Sequence, residues 1–229
     1  MYKVLLCDAD GTLFDFHGGE KLAIKETFAQ FNLPTDKEFI SLYHQANKEQ
    51  WLRLEQGDIT LEELKVLRFS TFLHRAGLMG DAKAMSEVFI SNLAKQAILL
   101  PGALEFVKDI SAVMPIYLVT NGISKVQRGR FTDCAISPYI TDMIISEEIG
   151  QPKPDPAILY VAMRKEGLTD VRDAIVFGDS ISADIGAANR AGMDSLLLWS
   201  EANPLPVNHG AKWVVHEYEE AKNKILKKE

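Results

Sequence analysis

Cysteine and surplus positive charge are both scarce in this chain. Only two cysteines occur in 229 residues, Cys7 and Cys134, too few for a disulfide framework. Neither has an arginine six residues later, as the loop of a cysteine phosphatase would; Leu13 and Ile140 stand there. Both are expected to be reduced thiols packed in a core. Twenty-five Lys and Arg against 32 Asp and Glu leave a net charge of −7, so no broad cationic face exists to meet a phosphate backbone. Duplex nucleic acid is therefore not an expected partner. Long apolar runs are missing too. Nothing approaches the ~20 residues that span a bilayer, and Val4-Leu5-Leu6-Cys7 is cut by Asp8 before it could act as a signal segment. The expectation is a cytoplasmic protein with no membrane partner, a monomer or small homo-oligomer.

What is present is ordinary for a folded chain: 47% hydrophobic, 25% charged and 9% aromatic residues. Lys3 to Cys7 reads as a short buried strand. From about Glu20 to Gln96 the apolar residues recur at three and four, as in Ile24, Phe28 and Phe31, which is helical spacing throughout. Pro34, Gly57 and Gly77 to Gly80 divide this stretch into about four helices, and Thr60-Leu61-Glu62-Glu63 is a capping box at one helix start. From Pro101 the pattern changes to apolar strands alternating with helices: Ile116 to Val119, Met143 to Ile145, Ala174 to Phe177 and Ser195 to Leu198. All-apolar strands separated by helices imply a parallel sheet covered on both faces. The expected fold is α/β, a doubly wound parallel sheet formed by residues 1–15 and 98–229, with an all-helical domain inserted at 16–97 and hinges near Asp15 and Leu99 to Pro101.

Ligands of such sheets sit beyond the carboxyl ends of the strands. The residues there are mostly acidic: Asp8-Ala9-Asp10-Gly11-Thr12, then Thr120-Asn121-Gly122, then Gly178-Asp179-Ser180 with Asp184 beyond. Lys153 lies in the loop after the third strand. One such aspartate alone would read as a turn or cap residue. Four carboxylates at one edge would repel without a cation among them. Oxygen donors with no clustered histidine favour a hard cation, Mg²⁺ first. Asp8 and Asp10 could then divide the work of nucleophile and acid/base.

The ordered set Asp8-x-Asp10-Gly11-Thr12, Thr120-Asn121-Gly122, Lys153-Pro154-Asp155 and Gly178-Asp179-x-x-x-x-Asp184 resembles the haloacid dehalogenase superfamily of aspartate-nucleophile phosphohydrolases, and the helical insertion looks like its C1 cap. By that resemblance Asp8 attacks phosphorus and Asp10 protonates the leaving oxygen, then deprotonates the attacking water. Thr120 and Lys153 hold the transferring phosphoryl oxygens. Asp8, Asp179, Asp184 and the Asp10 backbone carbonyl belong to the metal site, and Asn121 and Gly122 bind substrate through amides at a helix start.

Within the cap, Ala46-Asn47-Lys48-x-x-Trp51 looks like the pyrimidine nucleoside monophosphatase (5′-nucleotidase) branch of the superfamily. Lys48 and Trp51 become candidate substrate-binding residues, the indole offering a base a stacking surface; packing within the cap and a solvated face are the alternatives. The expected partner is a small phosphomonoester. Sugar phosphates or other small metabolites, or a phosphosugar mutase sharing all four motifs, remain open. A dehalogenase would have no use for Asp10 or for Mg²⁺. A non-catalytic nucleotide-binding scaffold would be expected to lack one of the acidic residues, and none is missing.

Overall fold

The computed structural model describes residues 1–227; the last two residues of the expected 98–229 segment fall outside this range. Six strands, β1 (Val4–Cys7), β2 (Ile116–Thr120), β3 (Asp142–Ile145), β4 (Ala174–Gly178), β5 (Asp194–Leu198) and β6 (Trp213–Val215), pair in the order β3-β2-β1-β4-β5-β6. Every pairing is parallel. Successive side chains leave a strand on opposite faces. Leu5, Cys7, Ile116, Leu118, Ile175 and Phe177 accordingly enter one core cluster. Val4, Leu6, Tyr117, Val119, Ala174 and Val176 enter the other.

Helices cover both clusters, which is why the strands carry almost no polar residues. Helix α5 (Ala103–Ser111) packs Phe106, Val107 and Ile110 on the first face, joined by Ala221 and Ile225 of α10 (Tyr218–Lys227). Helices α8 (Ala157–Lys165) and α9 (Gly186–Ala191) supply Ile158, Leu159, Ala162, Ala187 and Ala188 to the second. Helix α8 starts two residues later than Asp155, whose carboxylate accepts a hydrogen bond from the Ala157 N–H at 2.9 Å. A π-helical turn, Ile181–Ile185, precedes α9. Cys7 and Cys134 are both buried free thiols. Strand β6 and helix α10 lie beyond the last element expected from the sequence; a three-residue strand is too short to show a period.

The chain separates into two compact units. One comprises Met1–Phe16, Ala97–Gln127 and the chain from Phe131 onward, the other His17–Gln96 with Arg128–Arg130. The second unit holds α2 (Lys37–Glu55), α3 (Leu61–Arg75), α4 (Ala82–Leu93) and all but the first residue of α1 (Phe16–Gln30). The Thr60 and Glu63 capping box is formed in full at the start of α3. Its core is aromatic: Phe28 stacks on Phe72 with centroids 4.8 Å apart, and the buried Arg68 guanidinium lies 4.6 Å over the Phe89 ring. Glu20 is also buried there and accepts a 2.8 Å hydrogen bond from Asn47 Nδ2. No helix of the described residues is long and apolar enough to cross a membrane.

Candidate active site

Strand β1 lies between β2 and β4, where the strand order reverses, and this is the crevice in which open α/β sheets take ligands. The register sets Cys7 beside Phe177, and the Asp8 N–H donates to the Phe177 carbonyl at 2.8 Å. Asp8 is thus level with Gly178, the last residue of β4, and Asp179 follows one position beyond. The chain turns sharply at Gly11, with φ +86°, and a Cβ there would fall 2.4 Å from Asp179 Oδ2. Glycine is required at that point for both conformation and space. The turn returns Thr12 to the site, its Oγ1 3.2 Å from Asp8 Oδ2 and 3.1 Å from Asp179 Oδ1. One hydroxyl proton can serve only one carboxylate at a time, so Thr12 satisfies one of the two and leaves the other an acceptor to spare.

Lys153 occupies the centre of the buried group. Its Nζ donates to Asp8 Oδ1 at 2.6 Å, Asp184 Oδ1 at 2.6 Å and the Val119 carbonyl at 2.7 Å. An ammonium has three protons, and all three are engaged. Asp184 in turn accepts the Ser180 N–H on its other oxygen at 3.0 Å. Asn121 fixes the lysine from behind: its Oδ1 accepts the Lys153 N–H and its Nδ2 donates to the Lys153 carbonyl, both at 2.8 Å. The side chain of Asn121 therefore ties the β2 loop to the lysine loop, a task beyond the amide role expected of it. The Gly122 N–H donates to Thr120 Oγ1 at 3.0 Å, so this amide is already satisfied within the protein.

Three of the four expected carboxylates form one close group among the described residues. Asp8, Asp179 and Asp184 each bring an oxygen within 4.8 Å of the others, whereas the Asp10 carboxylate is not in this group and instead accepts from Gln127 Nε2 at 2.6 Å. Asp10 and Asp8 leave the same strand but face different partners because the chain is already turning at residue 10. Burial pushes the Asp8 carboxyl well above its usual range; the neighbouring Lys153 opposes this, and Asp184 and Asp179 reinforce it. Burial, then the Asp184 charge, pushes Asp179 up to about 6. Burial alone would weaken the Lys153 charge, but Asp184 and Asp8 outweigh it and hold the ammonium above its ordinary range. Three carboxylates against one ammonium leave an excess of negative charge. An all-oxygen donor set in that state suits a hard divalent cation such as Mg²⁺.

Tyr218 was not anticipated from the sequence. Its ring stacks on Phe106 at 5.1 Å and its hydroxyl donates to the Thr12 carbonyl at 2.7 Å, so the C-terminal helix props the turn that carries Thr12. Nothing in the sequence around residue 218 signals this contact across 206 positions. A groove of about 840 Å³ reaches Gly11 and Asp179 past Trp199, His216 and Tyr218. Glu201, Glu217 and Glu220 also line it, which disfavours an anionic ligand there. In the helical unit, Lys48 is exposed, Trp51 half-buried and Asn47 buried on α2. Trp51 follows Lys48 by three residues, so the two are neighbours on the helix surface.

The family model of haloacid dehalogenase-like hydrolases matches residues 2–192. The chain belongs to this family. It is accordingly an enzyme, a hydrolase with the family's doubly wound core. The chain is 31% identical over 198 residues to pyrimidine 5′-nucleotidase PynA of Streptococcus pneumoniae, covering 85% of this chain and 83% of that one. It is 28% identical to pyrimidine 5′-nucleotidase YjjG of Escherichia coli over 220 residues, 96% of each chain. A solved structure of the HAD-hydrolase YfnB of Bacillus subtilis, bound to magnesium, superimposes with a TM-score of 0.91 at 27% identity, covering 98% of both chains.

Proposed function

We propose that this hydrolase is a Mg²⁺-dependent phosphatase acting through an aspartyl phosphate, with pyrimidine nucleoside 5′-monophosphates as its substrates. The observation that carries the mechanism is the division between Asp8 and Asp10. Asp8 sits with Lys153 at 2.6 Å among carboxylates; Asp10, two residues on, is held apart by Gln127. Two carboxylates in different surroundings can take different parts. An Asp8 oxygen bonds to phosphorus as the bond from phosphorus to the leaving oxygen breaks, and Asp10 gives that oxygen its proton. Water then attacks the phosphorus, its proton passes to Asp10, and the bond to Asp8 breaks to release inorganic phosphate.

Thr120 and Lys153 would contact the phosphoryl oxygens, and Lys153 must exchange one of its three present partners to do so. Magnesium held by Asp8, Asp179, Asp184 and the Asp10 carbonyl would supply positive charge against the developing metaphosphate-like transition state. The phosphosugar mutase alternative shares this machinery and differs in where the phosphoryl group goes.

The nucleotide part of the proposal is supported by the two relatives named pyrimidine 5′-nucleotidases and by Lys48 and Trp51 on α2. The test is a panel of nucleotides and sugar phosphates ranked by kcat/KM, with phosphate release measured in Mg²⁺ and in excess EDTA. dUMP, dTMP and UMP should lead, and EDTA should silence all turnover. A panel led by a hexose phosphate would sink the nucleotidase reading, and undiminished activity in EDTA would sink the metal assignment. Stacking on an aromatic ring is worth ~1–3 kcal/mol per base, or about tenfold to a hundredfold. Trp51→Ala should therefore lower kcat/KM for dUMP at least tenfold relative to para-nitrophenyl phosphate. Equal losses on both would assign Trp51 to packing alone.

A further inference from the structure

Helix α6 (Ser124–Phe131) begins just after the Thr120-Asn121-Gly122 loop, and its fourth residue is Gln127, only 1% exposed. Glutamine has no need of such burial unless its amide is used. Its Nε2 donates to Asp10 Oδ2 at 2.6 Å. Gly122 provides the passage for this side chain: a Cβ at that position would lie 2.0 Å from Gln127 Nε2 and 2.8 Å from its Cδ. The helix start is itself fixed, with the Gln127 N–H on the Ile123 carbonyl at 2.9 Å and Ser124 Oγ on Glu148 Oε1 at 2.6 Å.

A carboxylate at the end of a short side chain rotates softly about its last bond, so sterics alone leave its plane loosely defined. A short hydrogen bond to one oxygen, delivered from a helix, defines it. We propose that Gln127 is a positioning residue for Asp10: its amide sets the plane of the carboxylate that passes the proton to the leaving oxygen, and Gly122 is glycine to let that amide through. The proposal rests on the assignment of Asp10 as general acid. It assigns to Gln127 and Gly122 a role that the sequence motifs do not, since Gln127 lies outside them and Gly122 was expected to act through its backbone amide.

The experiment uses leaving groups of different need. A nucleoside leaves as an alkoxide and requires the proton; para-nitrophenolate leaves without it. Because kcat/KM reports the steps up to loss of the leaving group, hydrolysis of the covalent intermediate does not mask the effect. Gln127→Met keeps the length of the side chain and removes the donor. It should lower kcat/KM for dUMP by about tenfold to a hundredfold, a fraction of what a general acid contributes in full, with a loss on para-nitrophenyl phosphate at least tenfold smaller. Gly122→Ala should give the same split without altering Gln127 or Asp10. Turnover of the phenolic ester reports in each case that the variant is folded. Asp10→Asn, run alongside, should give the largest split of the three. Equal losses on both esters in Gln127→Met and Gly122→Ala, or none, would overturn the proposal while a split in Asp10→Asn left the mechanism standing. No split in Asp10→Asn would overturn the acid assignment itself, and the role of Gln127 with it.

Discussion

Asp8→Asn should reduce phosphate release from both nucleotide and phenolic esters by on the order of 10⁴-fold or more, the scale on which enzymes lose turnover when a covalent nucleophile is removed. The amide keeps the shape of the carboxylate and can still accept from Lys153, which lies 2.6 Å from Oδ1 in the wild-type protein. What it lacks is the negative oxygen that bonds to phosphorus. The loss should therefore appear as failed chemistry with intact folding. Intact-mass spectrometry of acid-quenched wild-type enzyme with excess substrate should find one phosphoryl group, and peptide mapping should place it on Asp8. Asp10→Asn should retain a phosphoryl group longer than the wild type, because the water that clears it has lost its base. A phosphoryl group on any other residue would refute the covalent mechanism as drawn. Unchanged turnover in Asp8→Asn would remove the nucleophile assignment altogether.

The sequence showed the core of this site more clearly than its supports, for physical reasons. Strands buried on both faces must be apolar along their whole length, so Val4–Cys7 and Ala174–Gly178 stand out, and the aspartates that interrupt them mark the edge where a ligand sits. The capping box at Thr60 was legible because both of its members lie within four residues. The supports are long-range and leave no local pattern. Gln127 reaches Asp10 across 117 positions, and Asn121 grips the backbone of Lys153 across 32. Tyr218 belongs to a helix following a stretch, Asn203 to Pro206, that reads only as loop. Charge balance is likewise not legible in a local pattern. The motifs hold four aspartates and one lysine, but only their three-dimensional arrangement shows that the Asp10 carboxylate bonds to Gln127 and that Lys153 divides its protons among Asp8, Asp184 and the Val119 carbonyl.

Lys153→Met tests that balance, and it should lower stability where Asp8→Asn does not. Lys153 is 5% exposed and is the ammonium that offsets Asp8 and Asp184. Removing one member of a buried ion pair leaves its partners uncompensated, which costs about 3–5 kcal/mol. For a protein of this size that lowers Tm by roughly 10 °C. Asp8→Asn removes one of three crowded negative charges and keeps a hydrogen-bond acceptor, so in EDTA it should melt at or above the wild-type temperature. Adding Mg²⁺ should recover part of the deficit of Lys153→Met, since a cation that binds only the folded state stabilises it by mass action and here meets an unopposed set of carboxylates. Activity should fall on the order of 10³-fold even in saturating Mg²⁺, because a positive charge held in place before the reaction is lost beside both Asp8 and the phosphoryl group. Melting curves for the two variants and the wild type, each in EDTA and in Mg²⁺, decide the matter. A Lys153→Met protein that melts with the wild type in EDTA would show that the ammonium is not the counter-charge of this site; one that is destabilised but unaffected by Mg²⁺ would show that Asp8, Asp179 and Asp184 do not hold the metal.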